Sequence, residues 1–525
     1  MSLDNQREKW PVKPGEFKLV TLASLFSLGS VALAIFLRTW GDTIFLSHFS
    51  VDQIPIFYIW SAFAFAPVTM GYTWLSHRLP PVRLNTITLL VFVGLCSLCA
   101  QVPTDPTKIF IILLFMSLVS PLVNAICWSV ILERLDSLQS KRLIPIIGSA
   151  ATVGAIIAGG VAAEIIEWGG LPGLITLITL TLLSMSALPQ LLLRPIYRDR
   201  KITKDTDTRA SNAPKQEVKQ TKSTLSLLLD NPLLTVTIIA TLMMAITTNL
   251  VDYLFKAEIQ RQVTVNEIGP FLARFHAITN LLVFMLQLFV LSRLTQVLGL
   301  KWAYSLYPSS LLLIGSICLF PVTWFGFVIL RGVDTLMKFT IYANTENLVL
   351  TPVPYLLRTQ VKVMLKGVIY PLGGLIAGVL IWVTAALCGE DTQLKIKAIL
   401  MITLTLSTLW VIFTRRAHIY YIQQLANNLN LDPKLHTRDV DSTKLKQLAQ
   451  YLIDAKKIEK GDSNLAIVQF YIELSALLDI DNDQLTMLWE NDHHQADLVE
   501  WTENFYRLKG LEEVSHLLEV RPTDH

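Results

Sequence analysis

The sequence predicts an all-α polytopic membrane protein of about twelve transmembrane helices in two six-helix bundles, with a small α-helical domain at the C-terminal end. Three observations predict it. About twelve apolar segments run from near Phe17 to near Phe413, each offering roughly the 20 apolar residues a helix needs to cross ~30 Å of hydrocarbon. Hydrophobic residues make up 52% of the chain and charged residues 16%, well under the ~25% charged fraction of soluble domains. A polar stretch, residues 194–231, divides the apolar segments six and six.

In chain order, residues 1–16 form a polar, mixed-charge N-terminal segment. The first apolar run is too long for a signal-peptide core and lacks a small-residue cleavage site, so it is expected to stay as the first span. Spans are expected at residues 17–37, 54–75, 85–103, 109–131, 145–166 and 171–193, making a first bundle over 17–193. A basic linker over 194–231, with the composition of a flexible connector, follows. Spans at 232–255, 270–291, 299–319, 322–344, 364–388 and 396–413 then make a second bundle over 232–414. Basic residues collect in alternate loops: Arg78 and Arg83, then Arg134, Lys141 and Arg142, the central linker, Arg293 and Lys301, Arg358, Lys362 and Lys366, and Arg415 with Arg416. Such loops resist translocation, so both termini and the linker are expected on the cytoplasmic side. Two such bundles joined by a basic linker form the layout of major-facilitator-like transporters, whose halves rock about a site near the midplane.

Ionisable residues within apolar segments carry the sharper signal, because each is costly at the bilayer centre unless it faces a partner or a wet cavity. Arg38 and Asp42, at i and i+4, follow the first apolar run. Asp252 and Lys256 repeat that spacing in the seventh segment with the signs reversed, as an internally duplicated carrier would. Either pair could instead anchor a helix end at the membrane surface. In the tenth segment Arg331, Asp334 and Lys338 lie on one stripe, continued by Tyr342, Thr345 and Glu346. That stripe reads as a cavity lining or as a salt-bridge network between helices. The expected solute pathway is Arg38, Asp42, Asp252, Lys256, Arg331, Asp334, Lys338, Tyr342 and Glu346, with Arg78, Arg83, Arg134, Lys141 and Arg142 as cytoplasmic gate contacts.

Several functions lack their residues here. No glycine precedes a Gly-Lys-Ser/Thr tripeptide, so no phosphate-cradling loop drives transport. No Ser/His/Asp or metal-ligand constellation marks an enzyme, and no cofactor or metal site is expected. The five cysteines lie in or beside apolar segments, and Cys96 with Cys99 reads as helix packing rather than a redox pair. Gly148, Gly154, Gly159 and Gly160 mark the fifth segment as one that packs closely.

Three stretches resemble the ATP/ADP translocases, the nucleotide transporters of obligate intracellular bacteria and plastids, and their free-living bacterial relatives. Trp128 followed by Lys141-Arg142-Leu143-Ile144-Pro145-Ile146-Ile147-Gly148 is similar to that family's tryptophan and Lys-Arg-aromatic-Tyr-Pro-Leu-aromatic-Gly element. Asn249 to Lys256 resembles Asn-Leu-Val-Glu-x-x-Trp-Lys, with Asp252 at the acidic position, and Lys338 to Thr345 resembles Lys-Tyr-Ser-Leu-Phe-Asp-Pro-Thr. Met116 stands where the family has a glutamate, and Ala343 where it has an aspartate. The resemblance implies a bacterial inner-membrane carrier of a small anionic solute, nucleotides among the candidates, working by exchange or proton-coupled uptake with Asp252, Lys256 and Lys338 at the pathway.

Residues 415–525 are acidic, with apolar residues at helical spacing between polar breaks, as in a short helical-repeat module. The acidic balance argues against nucleic acid and anionic lipid, and favours a protein partner. Asp479, Asp481, Asp483 and Glu490 have calcium-loop spacing, but Gln484 occupies the glycine position and the aspartates read as turn and cap residues. A non-transporting sensor or scaffold acting through this domain is the alternative to a carrier.

Overall fold

The computed structural model describes residues 12, 16–76, 78–99, 105–135, 137–193, 231–289, 291–319, 324–353, 355–389 and 391–428. The expectations for the central linker and for the tail beyond 428, including its helical repeats and the calcium-like loop, lie outside them.

All regular structure among these residues is helical. The first six helices are α1 Phe17–His48, α2 Ile54–Ser76, α3 Pro81–Leu98, α4 Pro106–Arg134, α5 at 137–169 and α6 at 171–186. Gly170, at φ 62°, separates α5 from α6 inside what is otherwise one continuous helical run. The second six are α7 Pro232–Gln262, α8 Val265–Phe289, α9 at 300–318, α10 Trp324–Met337 continued to Val349, α11 Tyr355–Cys388 and α12 Thr392–Asn428. Gly299, at φ 65°, sets α9 off from the preceding turn of helix. Both glycines occupy the left-handed region, where a side chain would be strained.

Among the described residues nine helical stretches are long and apolar enough to span a membrane, one of them the 52-residue stretch that holds both α5 and α6. The second bundle contributes the less apolar rods, since α9 is broken near its start and α10 is interrupted by charge. In α10 the α-helix gives way to a π-helical turn over Lys338–Tyr342, and in α11 to another over Leu365–Ile369. Such turns widen the helix by one residue and recur at functional sites.

The first helix extends beyond the expected end at residue 37, to His48. Arg38 and Asp42 therefore lie inside α1 and do not anchor its end. The seventh likewise runs on to Gln262, seven residues past the expected boundary at 255, and encloses Asp252 and Lys256. The twelfth continues unbroken from the membrane segment to Asn428.

Helix α8 also packs on α1, and the two widest seams between the six-helix sets are α5 against α8 and α2 against α11. Each is closed around a glycine. A Cβ at Gly159 would lie 2.5 Å from the Ala277 amide nitrogen of α8, and one at Gly378 would lie 2.8 Å from the Pro55 carbonyl oxygen of α2. Gly154 meets the Leu28 backbone of α1 in the same way, whereas Gly148 and Gly160 have nothing within 4 Å. The aromatic and aliphatic side chains left on the outer faces, among them Trp60, Phe63, Trp168 and Leu387, form the surface that lipid covers.

At one end the two halves are also tied by polar contacts. The Gln260 amide of α7 donates to the carbonyls of Leu46 at 2.9 Å and Phe49 at 2.7 Å, and its Oε1 accepts from the Val51 amide at 2.9 Å. Lys395 at the start of α12 reaches Asp52 in the turn between α1 and α2 at 3.3 Å. Gly159→Val and Gly378→Val are each expected to lower the melting temperature of the purified protein, by the ~1–3 kcal/mol that overpacking costs, while Gly148→Val leaves it unchanged.

Candidate functional site

Every charged position expected on α1, α7 and α10 up to Asp334 converges on one cluster. Asp252 is its centre. Its Oδ1 accepts from Arg38 Nη2 at 2.8 Å and Arg331 Nη2 at 2.6 Å. Its Oδ2 accepts from the Tyr58 hydroxyl at 2.7 Å and Lys256 Nζ at 2.8 Å. Four donors from α1, α2, α7 and α10 thus fill the roughly four lone-pair sites of one carboxylate.

Two further carboxylates complete the cluster. Asp42 accepts from Lys256 Nζ at 2.7 Å and faces its own-helix neighbour Arg38 at 3.6 Å. Asp334 accepts from Arg331 Nη1 at 2.5 Å, Tyr307 at 2.5 Å and Thr248 at 3.2 Å. Three acids meet three bases, so the cluster is neutral. The sequence shows sign-reversed pairs on α1 and α7, and the fold crosses them, Arg38 to Asp252 and Asp42 to Lys256. Asp252, Arg331 and Asp334 are buried, whereas the Arg38 side chain keeps 36% of its surface exposed and is the accessible edge of the cluster.

Each half is neutral by itself as well. Arg38 and Asp42 cancel within the first half; Lys256 and Arg331 cancel Asp252 and Asp334 within the second. Each base also has an acid on its own helix three or four residues away, already within 3.6 Å. Separating the halves therefore exchanges partners and strands no charge, which in a medium of low dielectric decides whether the separation is affordable.

Beside the cluster a cavity of about 200 Å³ opens between α2, α4, α7 and α11, lined by Tyr58, Ser61, Phe65, Ser117, Asn249 and Tyr370 among others. Tyr58 belongs to both, so the cavity wall and the Asp252 carboxylate share a hydroxyl. Lys338 stands next to it, with Nζ 5.7 Å from the Tyr370 ring centroid, a cation–π contact. Lys338 lies one turn after Asp334 yet makes no ion pair with it. The Asp334 oxygens are already taken by Arg331, Tyr307 and Thr248, and the π-helical turn begins at Lys338.

The remaining expected residues are placed differently. Tyr342 is fully buried in an aromatic group, stacked on Tyr304 at 5.6 Å and edge-on to Tyr307 and Trp410, each at 5.7 Å. Glu346 accepts from Thr241 at 3.0 Å. Of the five basic residues expected at the cytoplasmic gate, Arg142 pairs with Glu16 at 2.8 Å inside the first half, Arg78 lies exposed over the Trp74 ring at 3.8 Å and Arg83 is exposed. Arg134 closes α4, partly buried, and the Lys141 side chain lies outside the described ones. Tyr58, Tyr307, Thr248, Asn249 and Tyr370 are site residues that sequence reasoning missed. A lone hydroxyl or amide in an apolar span is common, and only the fold shows which ones meet a carboxylate.

No protein-family profile and no curated protein matches the sequence. Solved structures do match the fold. A mutant form of the nucleoside transporter NupG aligns with a TM-score of 0.57 at 15% identity, over 76% of this chain and 99% of that one. NupG itself gives 0.55 at 13%, over 77% and 99%. A POT family transporter in complex with a thioalcohol-conjugated peptide gives 0.52 at 12%, over 78% and 99%. At these identities the likeness is one of fold.

Asp252→Ala leaves Arg38, Lys256 and Arg331 competing for one fewer acid, and is expected to cost ~3–5 kcal/mol, as removal of one partner from a buried ion pair does. Asp42→Asn and Lys256→Met are expected to be non-additive in a double-mutant cycle read by thermal melting, because they remove the same contact.

Proposed function

We propose that this chain is a secondary carrier that moves a small organic anion across a bacterial inner membrane by alternating access, nucleotides and related phosphorylated solutes being the first candidates. The observation that carries the reading is the neutral three-acid, three-base cluster that bridges the halves beside a cavity whose adjacent cation, Lys338, has no acidic partner among the described residues. A cluster that re-pairs within each half is what a two-state interface requires, and an uncommitted ammonium at membrane depth is what an anionic solute requires. Aromatic and amide groups on the cavity wall, Tyr370, Phe65 and Asn249, suit a solute that has a flat ring as well as a charge.

The basic loops support placing both termini and the linker in the cytoplasm. With that orientation the Gln260 and Lys395 contacts seal the outer end, so this state faces inward. The likeness to nucleoside and peptide carriers supports transport as the activity, and the three translocase-like stretches support an anionic solute. Opening the outer end would break the Gln260 contacts and the Arg38–Asp252 and Asp42–Lys256 pairs together, leaving Arg38–Asp42 and Asp252–Lys256 behind.

Thermal stabilisation of the purified protein across nucleotides, phosphorylated sugars and carboxylates tests the reading. A ligand present at 100 times its Kd stabilises by ~2.7 kcal/mol. A shift with one anion class is expected, and Lys338→Ala is expected to weaken that ligand at least tenfold, ~1.4 kcal/mol, while folding normally. A folded protein that no anion stabilises, and whose function is lost instead on deletion of residues 431–525, would favour the scaffold role.

A further inference from the structure

Helix α10 carries four charged residues. Arg331 and Asp334 are consumed by the cluster, while Lys338 and Glu346 are in no ion pair among the described residues. Glu346 lies in the short helix Ala343–Val349 that follows the π-helical turn, partly buried, and its one hydrogen bond comes from the neutral Thr241 hydroxyl of α7 at 3.0 Å. Thr241 is in turn 3.3 Å from the Tyr342 hydroxyl, which stacks on Tyr304 of α9. Tyr370, Lys362 and Lys366 face it from α11, with neither lysine within salt-bridge distance. Helix α12, packed on the same short helix, holds His418 and Tyr421 stacked on one another at 6.4 Å.

We propose, resting on the carrier reading, that Glu346 is the binding site of a proton that travels with the solute. The three cluster carboxylates are poor candidates, since Asp42, Asp252 and Asp334 each hold a base at 2.5–2.8 Å that a bound proton would have to displace. Glu346 has no such base to displace, and a neutral carboxyl group can keep the Thr241 contact while its own proton reaches a hydroxyl or carbonyl. Charge bookkeeping gives the coupling its reason. The cluster sums to zero, and so do Lys338 and Glu346. A solute on Lys338 adds its negative charge to the second half, and one proton on Glu346 offsets one unit of it, so a monoanion crosses with no net charge moved through the membrane potential and a phosphate dianion crosses with one unit fewer. No covalent bond other than the carboxyl O–H is made or broken.

The test is an infrared pH titration of the protein in phosphatidylcholine vesicles, following the carbonyl stretch of protonated carboxyl groups between about pH 8 and pH 5.5, a window in which exposed carboxylates stay ionised. The wild-type protein should show a band that grows as pH falls. Glu346→Gln should abolish it, Glu346→Asp should restore it at an altered frequency, and Asp334→Asn should leave it in place. No such band in the wild type, the same band in Glu346→Gln, or its loss in Asp334→Asn alone would overturn the assignment. Should Glu346→Gln fail to fold, Glu346→Asp decides, since a band unmoved in frequency there would likewise overturn the assignment. It measures neither ligand binding nor flux, so its failure is separable from failure of the anion-carrier reading.

Discussion

The arrangement depends on one carboxylate. Asp252 accepts four hydrogen bonds from four helices, two of them in each half. A buried aspartate in a membrane interior is tolerable only when it is saturated in this way, and once it is, α1, α2, α7 and α10 have little freedom to shift independently. The extension of α1 past its apolar run follows from this constraint. Arg38 and Asp42 are carried ten and six residues inside the helix end at His48, to the depth where their partners on α7 wait.

The same constraint explains why the cluster suits movement as well as cohesion. A tie between two halves that leaves bare charges when broken would hold one state permanently. Here each base has an acid on its own helix, so the cost of parting is the loss of a second partner and not of the only one. The glycine seams at α5–α8 and α2–α11 supply the complementary property, allowing backbones to approach closely where side chains would interlock. Gln260 adds a polar clasp at one end. Close glycine seams, a re-pairing ionic centre and a polar clasp are the parts that the proposed alternating access would use.

Much of this was legible in the sequence. Twelve apolar segments, the six-and-six division and the sign-reversed charge pairs on the first and seventh were all visible in spacing, because helical period and membrane thickness fix which residues share a depth and a face. What spacing cannot give is which pair meets which. Arg38 could have satisfied Asp42 locally, and it reaches Asp252 across 214 positions of chain instead. The hydroxyl groups of Tyr58, Tyr307 and Thr248 were invisible for the opposite reason, since single polar atoms in apolar spans carry no periodic signal. Lys338 follows Asp334 on the α10 stripe, but its separation from Asp334 rests on a π-helical turn that no local pattern in Lys338–Tyr342 announces. The basic loop residues illustrate the limit of charge counting: Arg142 turns to Glu16 within its own half.

The Asp252 cluster and the Gln260 clasp together hold the two halves at one end. Spin labels at Ser50, in the turn after α1, and Gln262, at the end of α7, would report that separation directly by pulsed electron resonance. The account predicts a single short distance in the otherwise wild-type protein and a second, longer population on Asp252→Asn. An unchanged distance distribution in a folded Asp252→Asn protein would contradict it.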